Sequence, residues 1–149
     1  MREAIKLAND NIKKGGGPFA AIIIKDGQII AHGTNQVTNN NDPTAHAEVE
    51  AIRNAAKKLN SFDLTECEIY TTCEPCPMCF GAIYWAKISK VYYGNTKEDA
   101  ANIGFDDHFI YEELDLPKEK RKLKMVELLR DETIQTFEAW KDMPDKTEY

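Results

Sequence analysis

Asn41-Asp42-Pro43-Thr44-Ala45-His46-Ala47-Glu48, answered later by Thr72-Cys73-Glu74-Pro75-Cys76-Pro77-Met78-Cys79, decides how this chain is read. His46, Cys76 and Cys79 are three ligands of the kind that hold Zn²⁺ in a tetrahedral site. Three protein ligands leave a fourth corner for water, the pattern of a catalytic rather than a structural metal. Glu48, two residues past His46, is then a candidate carrier for that water's proton.

The spacing restricts where these residues can sit. Side chains two apart on a regular helix point to different faces. His46 and Glu48 therefore serve one site only from a helix's first turn, and Pro43 places them there. Cys76 and Cys79 are three apart and share a face, again in a first turn. Two helix N-termini would converge on one metal, where their partial positive charge favours thiolate. Two thiolates, a neutral imidazole and Zn²⁺ sum to zero formal charge, which lets a bound water ionise near neutral pH. The alternative is a closed site with Cys73 as a fourth ligand. Against it, Cys73 falls at a strand end outside the helix turn, and Glu48 would have no role. Cys67 reads as a small buried hydrophobe, and His32 and His108 as ordinary polar residues.

At 149 residues the chain is one ordinary domain, residues 1–149, able to bury a core without disulfides. A formal charge of −6 argues against a polyanion partner, since phosphate neutralisation dominates nucleic-acid affinity. The one basic cluster, Lys118 to Lys124, reads as a solvated mixed-charge face. No apolar run is long enough for a membrane helix, and the first residues lack a signal peptide's apolar segment. The expected location is the reducing cytoplasm, with four cysteines present as thiols or metal ligands.

Alternating elements favour an α/β domain. The pattern predicts helices over 2–14, from 43 or 44 to 59, from 75 or 76 to 86, and over 133–141. Strands are expected over 19–24, 28–33, 67–72 and 89–94, with a fifth within 124–129. Asp26-Gly27 marks a hairpin, Asn39 to Asp42 a loop, and Gly15 to Gly17 a turn with no phosphate-loop lysine after it. Asp42 or Thr44 is the expected cap of the second helix. Short helices are expected near 97–101 and 107–113.

The two quoted segments, continued by Phe80-Gly81-Ala82-Ile83-Tyr84-Trp85-Ala86, resemble the cytidine deaminase superfamily. H-x-E…P-C-x-x-C is the signature of zinc nucleobase deaminases. Cys73 to Cys79 with Tyr84-Trp85, Gly104-Phe105-Asp106-Asp107 and Glu148-Tyr149 are more similar to the bacterial guanine deaminases within it. The resemblance implies a three-layer α/β/α cytidine-deaminase-like domain around a five-stranded mixed sheet, assembled as a homodimer. It implies one Zn²⁺ on His46, Cys76 and Cys79, and hydrolysis of guanine to xanthine and ammonia. Zinc-activated water would attack C2 while Glu48 carries protons.

For the pocket, Asn35 is a candidate for the purine edge, with a turn asparagine as the alternative. Asp107 joins Glu48 in the catalytic set, accepting from N1–H and the exocyclic amine; a helix cap is its alternative. Phe19, Phe105 and Trp85 are candidates for stacking on the base, or else core or dimer contacts. Ala47 is a further expected substrate contact. Tyr149, in a tail from about 142, is a candidate lid that reaches a neighbouring subunit. The competing functions are tRNA adenosine deamination, deamination of cytosine or adenine, and a non-catalytic zinc-stabilised interaction module.

Overall fold

Asp26 and Gly27 both take positive φ, 51° and 74°, as a two-residue hairpin turn requires. They join β1 (Ala20–Lys25) to β2 (Gln28–Thr34), antiparallel, with Lys25 opposite Gln28. A computed structural model describes residues 1–149. In it β3 (Cys67–Cys73) lies antiparallel to β1 on its other side, and β4 (Lys90–Asn95) runs parallel to β3. The sheet order is β2-β1-β3-β4. The chain divides into two compact units, Met1–His108 and Phe109–Tyr149.

The first unit holds the sheet. Its helices are α1 (Arg2–Lys13), α2 (Val37–Asn40), α3 (Ala47–Leu59), α4 (Pro77–Trp85) and α5 (Lys97–Asn102). Ala20 to Ile23 are all buried, as a strand covered on both faces should be. Ala21 and Ile23 pack with Ala47, Ala51 and Ala55 of α3, and with Leu64, Ile69 and Ile83, in one core cluster. Ala20 and Ile22 point to the opposite face, and α1 packs on β1, β2 and β3 with Ala4 and Ala8 buried outside that cluster. The result is the expected α/β/α layering.

Small residues bring α3 close to the sheet. Ala47, Ala51 and Ala55 recur every four residues and make one fully buried stripe. Opposite them sits Gly33 of β2, where an added Cβ would run into the Ala47 carbonyl and the Ala51 nitrogen. This close approach fixes the depth at which the α3 N-terminus meets the sheet.

Several expectations are corrected. The sheet has four strands, not five. Lys124 to Leu129 forms no strand, with Val126 84% and Leu128 76% exposed. β-branched residues favour a strand only where a pleated surface receives them, and no strand pairs with this segment. The second helix begins at Ala47 rather than at residue 43 or 44, with His46 as its N-cap. Asp42 instead closes a turn on Thr44, accepting from its backbone N–H at 2.8 Å and its hydroxyl at 2.7 Å. The supposed loop at 39–42 is partly helical, because α2 occupies Val37–Asn40.

α6 (His108–Asp115) leads into the second unit, followed by a 3₁₀ turn (Lys118–Lys120) and α7 (Arg130–Asp142). There the Arg121 guanidinium donates to the carbonyls of Leu116 at 3.0 Å and Leu114 at 3.1 Å, satisfying the end of α6.

Gly33→Ala should cost about 1–3 kcal/mol by overpacking α3 against β2, read as a lower denaturation midpoint. Gly81→Ala, where nothing lies within 4 Å of the added Cβ, should be neutral or mildly stabilising. Equal stability of the two variants would contradict the close-approach account.

Candidate active site

Two chain reversals of the same form build the site. His46 is the N-cap of α3 and Cys76 the N-cap of α4, both in extended backbone, and no side chain caps either helix. Glu48 is the second residue of α3 and Cys79 the third of α4. The non-helical N-cap explains how His46 and Glu48, only two apart, face one point. The ends of α3 and α4 bring His46, Cys76 and Cys79 together, with ligand atoms all within 4.8 Å of one another.

These distances can be tested against a metal. His46 Nδ1 lies 3.5 Å from Cys76 Sγ and 3.5 Å from Cys79 Sγ. Zinc–sulfur bonds of about 2.3 Å and zinc–nitrogen bonds of about 2.0–2.1 Å at a tetrahedral angle require an N···S separation of about 3.5 Å. The donor set therefore fits Zn²⁺ in both chemistry and size. Cys73 stands apart: its thiol donates to the Thr96 carbonyl at 3.5 Å, and burial pushes its pKa up to about 11.

The titration of the pair agrees with a cation site. Hydrogen bonding to the Cys79 thiol, reinforced by His46, holds Cys76 down at about 4 in spite of burial. The same bond, together with burial, pushes the Cys79 thiol far above its usual range. Zinc bound between them would take both sulfurs as thiolates. His46 is raised, chiefly by its hydrogen bond to Cys76.

Glu48 is 6% exposed, and burial pushes its carboxyl above the usual range. The Thr71 hydroxyl donates to Glu48 Oε1 at 2.9 Å and orients the group. Sequence reading missed Thr71, although a signal was present. Cys67, Ile69, Thr71 and Cys73 alternate along β3 and all are buried. A threonine in such a series must find a polar partner.

A cavity of about 580 Å³ opens over this cluster, with His46, Glu48 and Cys76 in its lining. Asn35, Phe19, Ala47 and Asp107 line it as well. Asn35 is also a turn asparagine: its Oδ1 accepts from the Val37 N–H at 3.3 Å, which leaves its NH₂ to donate. Ala47 is the first residue of α3, so its N–H belongs to the set a helix cannot satisfy internally. Beside Asp107, the Asp106 carboxylate accepts from the His108 N–H at 2.9 Å. Burial, and then Cys76, raise the Asp107 carboxyl. Phe19 and Phe105 meet edge to face, centroids 4.9 Å apart, on the cavity wall. Trp85 is not among the lining residues; it stands 69% exposed on α4. Tyr149 belongs to the second unit and is 73% exposed.

Residues 1–95 match the family described as the cytidine and deoxycytidylate deaminase zinc-binding region. The chain belongs to that family. It is 51% identical to the guanine deaminase of Bacillus subtilis over 150 aligned residues, all of this chain and 96% of that protein. The crystal structure of that enzyme superposes with a TM-score of 0.96, covering 99% of this chain and 95% of that one. A structure of the guanine deaminase from Nitrosomonas europaea matches with a TM-score of 0.69 at 37% identity, over 71% of this chain and 62% of that one. The tRNA-specific adenosine deaminase of Aquifex aeolicus is 43% identical, over 62% of each chain.

Cys76→Ser should lower bound zinc well below one per chain, measured by atomic absorption after dialysis. Cys73→Ser should leave it unchanged. Loss of metal in the Cys73 variant would move that thiol into the ligand set.

Proposed function

We propose that this protein hydrolyses free guanine to xanthine and ammonia. The observation that carries the reading is the reach of the similarity. The guanine deaminase of Bacillus subtilis aligns with the whole chain, whereas the Aquifex aeolicus tRNA deaminase matches 62% of it. Residues beyond the matched family region, Phe105 and Asp107, contribute to the cavity wall. A net charge of −6 also disfavours tRNA.

Zinc held by His46, Cys76 and Cys79 supplies the Lewis acidity that makes water a nucleophile at neutral pH. As the water oxygen bonds to guanine C2, Glu48 takes the released proton and delivers it to ring N3. When the C2–N bond breaks, Glu48 passes the second water proton to the departing amine, so atoms and charge balance. The raised carboxyl of Glu48 suits a group that must both accept and return a proton. Asp107 accepts from N1–H and the amine, Asn35 and the Ala47 N–H meet the purine edge, and Phe19 with Phe105 bounds the ring.

The protein is further proposed to be a cytoplasmic homodimer. Its four free cysteines fit a reducing compartment, and no helix is long and apolar enough to cross a membrane. Phe80, Tyr84 and Trp85 expose an aromatic face on α4 that a second copy would cover, which gives Trp85 a role outside the pocket. Tyr149 is proposed to act from a neighbouring subunit. Light scattering checks the assembly: a mass twice 16.9 kDa supports it, and the single-chain mass opposes it.

The test of the reaction is a panel of free bases, nucleosides and tRNA scored for deamination, on the parent and on Glu48→Gln. Guanine should be turned over fastest by the parent. The variant should keep its zinc and lose about 10²–10⁴-fold in kcat. Normal turnover in the variant, or preference for adenosine in tRNA, would overturn the assignment.

A further inference from the structure

Gly15-Gly16-Gly17 looks like a bare turn in the sequence, yet all three residues line the cavity. The run is arranged around Asn11, near the end of α1, which is only 4% exposed. The side-chain amide of Asn11 is used at both ends. Its Nδ2 donates to the carbonyl of Gly17 at 2.9 Å and to that of Asn35 at 2.8 Å. Its Oδ1 accepts from Gln36 Nε2 at 2.8 Å, and its backbone carbonyl accepts from the Gly16 N–H at 3.0 Å. One buried side chain therefore ties together the end of α1, the glycine loop and the segment after β2.

The glycines follow from that anchor. At Gly16 an added Cβ would run into the Asn11 amide, so glycine is required there. At Gly17 a Cβ would stand 3.0 Å from Cγ and Oδ1 of Asn35. Gly17 thus leaves the room in which the Asn35 side chain sits. The Asn35 N–H donates to the Phe19 carbonyl at 3.0 Å, so the same segment also reaches the aromatic wall.

We propose that Asn11 is a positioning residue for substrate: through the Asn35 and Gly17 carbonyls it fixes the backbone from which the Asn35 amide reaches the purine. The proposal rests on the reading of Asn35 as a purine contact. A binding group works only when its own support is locked by packing and hydrogen bonds. Asn11→Asp keeps the shape and sets an acceptor against two carbonyls, so the Asn35 backbone must shift. Its effect falls on binding rather than on the zinc and Glu48 apparatus, which hangs on α3, α4 and β3.

The experiment measures kcat, KM and zinc content for Asn11→Asp, Gly17→Ala, Asn35→Ala and the double variant Asn11→Asp/Asn35→Ala. Gly17→Ala leaves the Asn11 side chain untouched, and the three atoms nearest its added Cβ all belong to Asn35, so should Asn11→Asp fold poorly it still tests whether the placement of Asn35 sets KM. Both single changes should raise KM for guanine about tenfold, with kcat within about threefold and zinc unchanged. In the Asn35→Ala background, Asn11→Asp should raise KM no further. Unchanged KM in Asn11→Asp and Gly17→Ala, or effects that add to that of Asn35→Ala, would overturn the proposal. A parent that turns over no guanine would refute the assigned substrate instead. The positioning claim is then read from a crystal structure of Asn11→Asp: an Asn35 amide displaced relative to His46, Cys76 and Cys79 supports it, and an unmoved amide overturns it.

Discussion

Two helix N-termini aimed at one point are the constraint on which the rest of this molecule depends. The N-caps of α3 and α4 present His46 and Cys76, and the first turns behind them present Glu48 and Cys79. Helix N-termini carry partial positive charge and unsatisfied N–H groups, so they stabilise thiolates and carboxylates that a buried site would otherwise penalise. That assistance is incomplete without a cation. Cys79 is driven toward its protonated form while Cys76 is held as thiolate. A divalent ion resolves the conflict by taking both sulfurs deprotonated.

The scaffold exists to hold that convergence. The alanine stripe on α3 and the bare backbone of Gly33 let the helix settle against β1 and β2 without intervening side chains. β3 then carries Thr71 to Glu48, and ends at Cys73, whose thiol is committed to Thr96. Glu74 continues this work just beyond the strand: its N–H donates to the Asn95 carbonyl at 2.8 Å and its carboxylate accepts from the Lys97 N–H at 3.2 Å. The start of α5 is thereby tied to the strand that leads into the metal helix. Asn11 does the equivalent for the glycine loop and Asn35.

Much of this was legible in the sequence because it depends on local chemistry. Asp26-Gly27 demands its hairpin, and the uninterrupted apolar run Ala20 to Ile24 demands a covered strand. The ligands were readable from residue type and spacing alone. What was not legible depends on distant partners. The extra reach of His46 came from its being an N-cap, a boundary that Pro43 and Thr44 obscured. Lys124 to Leu129 has strand-like residues, but a strand needs a neighbour, which no local pattern supplies. Trp85 looked like a base-stacking group because its position on α4, outside the cavity lining, is a matter of helix phase. The Gly15 to Gly17 run looked idle because Asn11, Asn35 and Gln36 are assembled by tertiary structure alone.

The most direct measurement is X-ray absorption at the zinc edge on protein loaded with one metal per chain. The account predicts a first shell of two sulfurs at about 2.3 Å and one imidazole nitrogen at about 2.0–2.1 Å, with one further light atom that the protein does not supply. A shell with three sulfurs, or with four protein ligands of any kind, would close the corner that the chemistry requires and contradict it.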